Sequence, residues 1–329
     1  MTIHRGKKER LFRFAPYVII GLFLVTLPTY AGVAFVSLLT KILIFGLLVM
    51  ALDLLVGYTG LWAFGHAAFF GVAAYITGIL IVHYDITSFW LSAPAGILMA
   101  VFAACVFGVI ALRASAIYFL LITLALGQLV FEIVNTSLGR LGELTGGSDG
   151  FGGVPYPELG LSFSTTSYYY FVLAFFIVCG FLLFFILNSP FGHSLQGIRE
   201  NETRMRCLGY NTWLFKYIAF IIAGLFAGVA GVLYVHFNGF ISPEGVGFGA
   251  SGLLWLMLII GGRGTLWGAV IGSAVILGLQ YYSGVFTPER WPLIMGACMV
   301  AVIMFYRGGI MLHVTNLWKK ASSYGSAKS

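Results

Sequence analysis

The sequence predicts an all-α polytopic membrane protein, and three observations carry that prediction. Of 329 residues, 60% are hydrophobic and only 9% are charged, against about 25% charged in ordinary soluble domains. The mean hydropathy is +0.98. Long windows carry no Asp, Glu, Lys or Arg at all: Phe14 to Thr40, Leu54 to Tyr84, Ile86 to Leu112, Leu159 to Ile198, Tyr217 to Pro243 and Thr265 to Pro288. A spanning helix needs about 20 mostly apolar residues, so several windows hold one and the longer ones must turn back. This composition excludes a soluble globular enzyme, a disordered chain and a disulfide scaffold. The runs lack the polar/apolar alternation of a β-barrel strand.

Taken in order, the runs give about ten membrane segments (eight to ten). They fall near 12–30, 33–55, 66–84, 88–111, 114–135, 167–187, 216–236, 246–262, 264–283 and 291–307. Residues 1–11 form a basic N-terminus, 12–310 the membrane domain and 311–329 a tail. The basic start followed by an apolar run reads as a retained signal anchor, because no small-residue cleavage site precedes the next span. An even number of spans puts both termini on one side. With that side cytoplasmic, fifteen of the 18 Lys and Arg face inward, Arg140 and Arg290 face outward and Lys41 lies within a span. That asymmetry fixes the orientation. It also reads the +7 net charge as membrane orientation rather than nucleic-acid binding. The 43 glycines suit close helix approach in lipid, above all Gly224, Gly228 and Gly231, and the pair Gly268 and Gly272.

Four places depart from simple spans. Gly57, Gly60, Gly65 and His66 lie in a glycine-rich yet apolar stretch, and Gly261 to Thr265 interrupts a second apolar run. Each reads either as a tight turn or as a discontinuous helix bordering a translocation path. The outside loop 136–166 holds Thr145, Gly146, Gly147, Ser148, Asp149 and Gly150. Its backbone amides can hold a small polar ligand or a docking protein, or the loop is merely a surface turn. Residues 188–215 form a charged cytoplasmic connection. Ser189 and Pro190 read as a helix start and Gly209 as its stop. Phe191, Leu195, Ile198, Met205 and Leu208 make an apolar stripe opposite Arg199, Glu200, Glu202, Arg204 and Arg206. Such a helix either enters a groove on a partner or lies at the lipid headgroups.

Missing chemistry narrows the function. No GxxxxGK[ST] phosphate loop is present, and no HExxH or GxSxG, so any ATPase is another chain and no cofactor or metal is expected here. Cys105, Cys179, Cys207 and Cys298 show no CxxC. Lys41, Asp53, Glu132, His66 and His83 are a thin set for an ion-coupled carrier, and a membrane enzyme would need a site assembled only in three dimensions.

The order of several motifs then resembles a known family. These are Leu55-Val-Gly-Tyr-Thr-Gly60, Gly65-His-Ala-Ala-Phe69, Thr145-Gly-Gly-Ser-Asp-Gly150, Ser189-Pro-Phe-Gly-His-Ser-Leu-Gln-Gly-Ile-Arg-Glu-Asn-Glu202, Leu208-Gly-Tyr-Asn-Thr212, Gly239-Phe-Ile-Ser-Pro243 and Gly261-Gly-Arg-Gly-Thr-Leu-Trp-Gly268. Together, from about residue 40 to residue 310, they resemble the permeases of bacterial branched-chain amino-acid ABC importers, with the LivM-like branch the closer match. The resemblance implies a heterodimer with a homologous permease, two cytoplasmic ATPases that use ATP and Mg, and a periplasmic binding protein, all at the inner membrane. It implies that Gly192, Ile198, Arg199, Glu200, Asn201, Glu202 and Gly209 belong to the ATPase-coupling loop. This sequence has His193 and Gln196 where the family frequently has basic residues. Branched-chain or other hydrophobic amino acids are the implied substrate, with urea or short amides the alternative.

Overall fold

The computed structural model describes residues 32–114, 116–157 and 164–286, together with Thr26, Pro28, Leu293, Gly296, Ala297, Val300, Met304 and 309–311. The expected segments at 12–30 and 291–307, the residues 1–11 and most of the tail 311–329 lie outside the described residues. The helices are α1 (Val33–Asp53), α2 (His66–Val82), α3 (Phe89–Ala111), α4 (Ala116–Asn135), α5 (Gly139–Thr145) and α6 (Thr165–Asn188). They continue with α7 (Pro190–Glu200), α8 (Glu202–Cys207), α9 (Thr212–Asn238), α10 (Phe248–Gly261) and α11 (Leu266–Phe286). Among the described residues, seven helices are long and apolar enough to cross a membrane. The chain is a polytopic all-α membrane protein.

The helices pack through small residues, as expected in a solvent where apolar surface alone does not drive association. On α9, Gly224 lies against Ala104 of α3, Gly228 against Ala100, and Gly231 against the Phe70 carbonyl of α2. Gly268 and Gly272 of α11 lie against the Gly261 and Met257 carbonyls of α10. Of the long helices, α9 is the most enclosed and α4 the least. Tyr168 of α6 donates to the Leu233 carbonyl at 2.7 Å, tying α6 to α9.

Hydrogen bonds and packing define two ends of the bundle. One end gathers the close of α1, the α7–α8 pair, the start of α9 and the α10–α11 turn. At the other, β1 (Phe151–Gly152) pairs antiparallel with β2 (Phe240–Ile241), Phe151 opposite Ile241. His83, just past α2, contacts the Glu143 carbonyl at 3.0 Å there.

Three sequence expectations change in detail. The segment expected at 66–84 is a helix of 17 residues, His66–Val82, and the span expected to end at 55 winds on as a π-helix over Leu54–Thr59. Gly60 ends that extension at φ +77, a conformation that costs other residues about 1 kcal/mol or more, and residues 60–65 are not helical. The glycine-rich stretch is therefore a discontinuity, whereas Gly262 and Gly264, both at positive φ, make a tight turn between two separate helices. The single helix expected from Ser189 to Gly209 is two. Asn201 breaks it with extended φ −158 and ψ 97, and its side chain caps α8 by accepting from the Arg204 amide at 2.9 Å. Leu208 therefore leaves the buried stripe and is exposed, while Met205 packs on Gly197.

Candidate functional site

The site is built at the end of α1. Ser189 caps α7, accepting from the Gly192 amide at 3.4 Å, with Pro190 in the first turn. This sets Gly192, Leu195 and Ile198 against the bundle and leaves His193, Glu200 and Asn201 exposed. Arg199, in the last turn, reaches back into the bundle and donates to the Gly57 carbonyl. A cation is favoured there, since the carbonyls closing a helix carry its negative dipole end. Gly60 accommodates the same side chain: a Cβ at this position would lie 3.0 Å from Arg199 Cγ.

Asp53 sits one turn before Gly57 and is fully buried. Its Oδ1 accepts from the Gly264 amide at 2.7 Å, joining α1 to the α10–α11 turn. A Cβ on Gly57 would overlap both Asp53 Oδ1 and the Gly264 amide, so only glycine lets the three elements meet. Gly309, at positive φ, packs against Gly262 on the same turn. Beside this junction a cleft of about 230 Å³ opens between α6, α7 and α11, its wall including Tyr58, Asn188, His193, Gln196 and Trp267.

A second polar cluster fixes α8 to α9. Glu202 pairs with Arg206 at 2.6 Å and with Lys216 at 2.5 Å. Thr212 donates to the same carboxylate at 3.0 Å and accepts from Arg206 Nε at 3.0 Å. Partial burial works against the Glu202 charge, but Lys216, Arg206 and Thr212 outweigh it and hold the carboxyl below its usual range.

Two backbone groups of the non-helical residues 60–65 are held by side chains of other helices. Trp255 of α10 donates to the Ala63 carbonyl at 2.9 Å, and the Phe64 amide donates to Thr123 Oγ1 of α4 at 3.1 Å. Phe64 stacks on Phe248 with ring centres 5.2 Å apart. Trp62 lies 5.5 Å from Trp255, and Arg263 sits 5.6 Å over the Trp62 ring. Gly65 packs against α4, where Gly127 faces it. His66 opens α2 in full burial, and neither ring nitrogen has a partner among the described residues.

Thr145 to Gly150 lie at the opposite end. Thr145 and Gly147 are buried, Ser148 and Asp149 exposed, and Ser148 Oγ donates to Asp149 Oδ1 at 3.4 Å. Gly150 packs against Ile241 and Ser242. The structure thus brings Gly57, Gly60 and Arg199 together, puts Gly65 and His66 next along the chain inside the bundle, and holds the Thr145–Gly150 loop apart. Glu200, Asn201 and Gly209 are exposed. The spacing marked Gly264 only as part of the Gly261–Thr265 interruption, did not reveal Trp255, and treated Asp53 only as an ion-relay candidate. Among the described residues no group of His, Cys, Asp and Glu is placed to hold a metal.

Residues 34–303 match the model of a family described as the permease component of branched-chain amino-acid transport systems. The chain is 29% identical to LivM, the high-affinity branched-chain amino-acid transport permease of Escherichia coli K12, covering 92% of this chain and 75% of LivM. It is 29% identical to LivM of Salmonella typhimurium, over 98% of this chain and 79% of that protein. A shorter stretch, 40% of this chain and 42% of the relative, is 31% identical to the LivH permease of Escherichia coli K12. No solved structure matches the chain significantly.

Proposed function

The chain belongs to the family of branched-chain amino-acid transport permease components, and from that premise we propose that it carries branched-chain or other hydrophobic amino acids inward as one half of a permease pair. It is a transport subunit of the inner membrane rather than an enzyme. The second permease is a homologue, in keeping with the partial likeness to LivH. ATP and Mg are used by two cytoplasmic ATPases, a periplasmic binding protein delivers substrate, and this chain binds no cofactor of its own. The two segments at 12–30 and 291–307 bring the spans toward ten and leave both termini in the cytoplasm. Loop 136–166, with Thr145 to Gly150, faces the periplasm.

In this reading α7 and α8, within 188–215, form the coupling element. The observation that carries it is the division of one short helix. On α7, Leu195 and Ile198 are buried and the exposed Arg199 donates back to the Gly57 carbonyl, while His193 and Glu200 of the same helix stand exposed to the outside. A helix held on one side and polar on the other suits helix-in-groove docking of a partner. Through Arg199 its movement reaches Gly57, Gly60 and then the segment leading to Gly65 and His66, which lines the translocation path. Glu200→Lys tests this. It should insert normally but lower ATPase co-purification about tenfold, as reversal of one interfacial charge does. Normal co-purification and uptake would refute the docking role.

A further inference from the structure

Asp53 keeps one oxygen unsatisfied in the interior. Oδ1 holds the Gly264 amide, but Oδ2 has no partner among the described residues. Buried carboxylate oxygens are rarely left so, because desolvation is costly without a compensating donor. Arg199, among the described residues the one α7 side chain hydrogen-bonded to another helix, is meanwhile spent on a neutral carbonyl. That carbonyl belongs to Gly57, four residues beyond Asp53, and the Asp53 carboxylate lies against the same residue, with Oδ1 where a Gly57 Cβ would stand. A guanidinium has donors enough for either acceptor, and glycine at 57 and 60 leaves no side chain between the two seats.

We infer that Arg199 is a two-position latch, seated here on the Gly57 carbonyl and, in the alternate transport state, on the free oxygen of the buried Asp53 carboxylate that packs beside Gly57. The inference rests on the reading of α7 as the ATPase-docking helix and adds how its motion is registered. Two neighbouring acceptors give the guanidinium two discrete seats, so the ATPases need only favour one over the other. The seat on Gly57 lies just ahead of the non-helical residues 60–65, so a change of seat is passed directly into that segment.

The test uses the complete importer, with both permeases, the ATPases and the binding protein, in proteoliposomes supplied with radiolabelled leucine. Asp53→Asn keeps an acceptor for the Gly264 amide and removes the charge. Leucine taken up per ATP hydrolysed should fall about tenfold or more, a change of about 1.4 kcal/mol, in Asp53→Asn and in Arg199→Gln alike. The double variant should fall no further than the worse single one, because both remove a single contact. Arg199→Lys, which keeps the charge, should retain part of the coupling and so separates the latch from a folding defect. Uptake per ATP within about twofold of the unaltered complex in Asp53→Asn, or losses that multiply in the double variant, would overturn the latch alone. If the unaltered complex shows no ATP-driven uptake, the functional reading beneath the latch falls with it.

Discussion

Glu202 shows what one side chain contributes at the polar end of the bundle. Lys216, Arg206 and Thr212 converge on its carboxylate and hold it below its ordinary value of 4.5 despite partial burial. An unfolded chain then binds more protons than the folded one as the pH drops below about 4.5, so acid favours unfolding. The stabilisation is full above that pH and fades as pH falls through the depressed folded-state value. Glu202→Gln should lower stability by about 1 kcal/mol near neutral pH, the scale of a partly exposed ion-pair network. Melting temperatures in detergent should converge between variant and wild type in acid, and a constant gap across the pH range would contradict the assignment. Asp53 teaches the opposite lesson about legibility. Nothing in its local sequence points to Gly264, 211 residues away, and only the fold reveals why an acid stands in an apolar helix.

Among the elements, caps and breakers were readable and continuity was not. Ser189 with Pro190, and Gly209, mark helix ends through chemistry that acts within a few residues, and each stands near such an end in the structure. The break at Asn201 was hidden because Met205 continues the helical spacing of Leu195 and Ile198 across it. Met205 does remain on the packed side, against Gly197, but on a second helix. The π-helical extension of α1 over Leu54–Thr59 was likewise hidden, since hydropathy runs unbroken into it. The packing of α9 on α3 was legible in the Gly224, Gly228 and Gly231 spacing, and it makes a direct prediction. A side chain at 224 would drive into Ala104, so Gly224→Val should destabilise by about 1–3 kcal/mol, as overpacked helix contacts do. Gly249→Ala on α10, where nothing lies within 4 Å, should change little. Thermal unfolding of the two purified variants compares them, and equal melting temperatures would mean that α3 and α9 do not meet there.

For the whole molecule, the decisive property is that its two polar ends are separated by the length of the helices. α6 and α9 join the ends with 24 and 27 residues, roughly 36–40 Å of helix, which exceeds the hydrocarbon core of about 30 Å. Ser148 is exposed at the β1–β2 end and Cys207 at the α7–α8 end, so one bilayer cannot leave both on the same side. The excess of Lys and Arg on the α7–α8 side is the ground on which we propose that this side is cytoplasmic. In spheroplasts, a membrane-impermeant maleimide should therefore label Ser148→Cys in a Cys207→Ser background. It should spare Cys207 in the unaltered chain until the membrane is opened or inverted. Cys179 is buried and should react only after denaturation, which supplies an internal control for intact folding. Labelling of Cys207 alone from outside would reverse the orientation and remove the ATPases' access to Glu200. Labelling of both positions from one side would be worse for the architecture, since no rigid placement of α6 and α9 across a bilayer permits it.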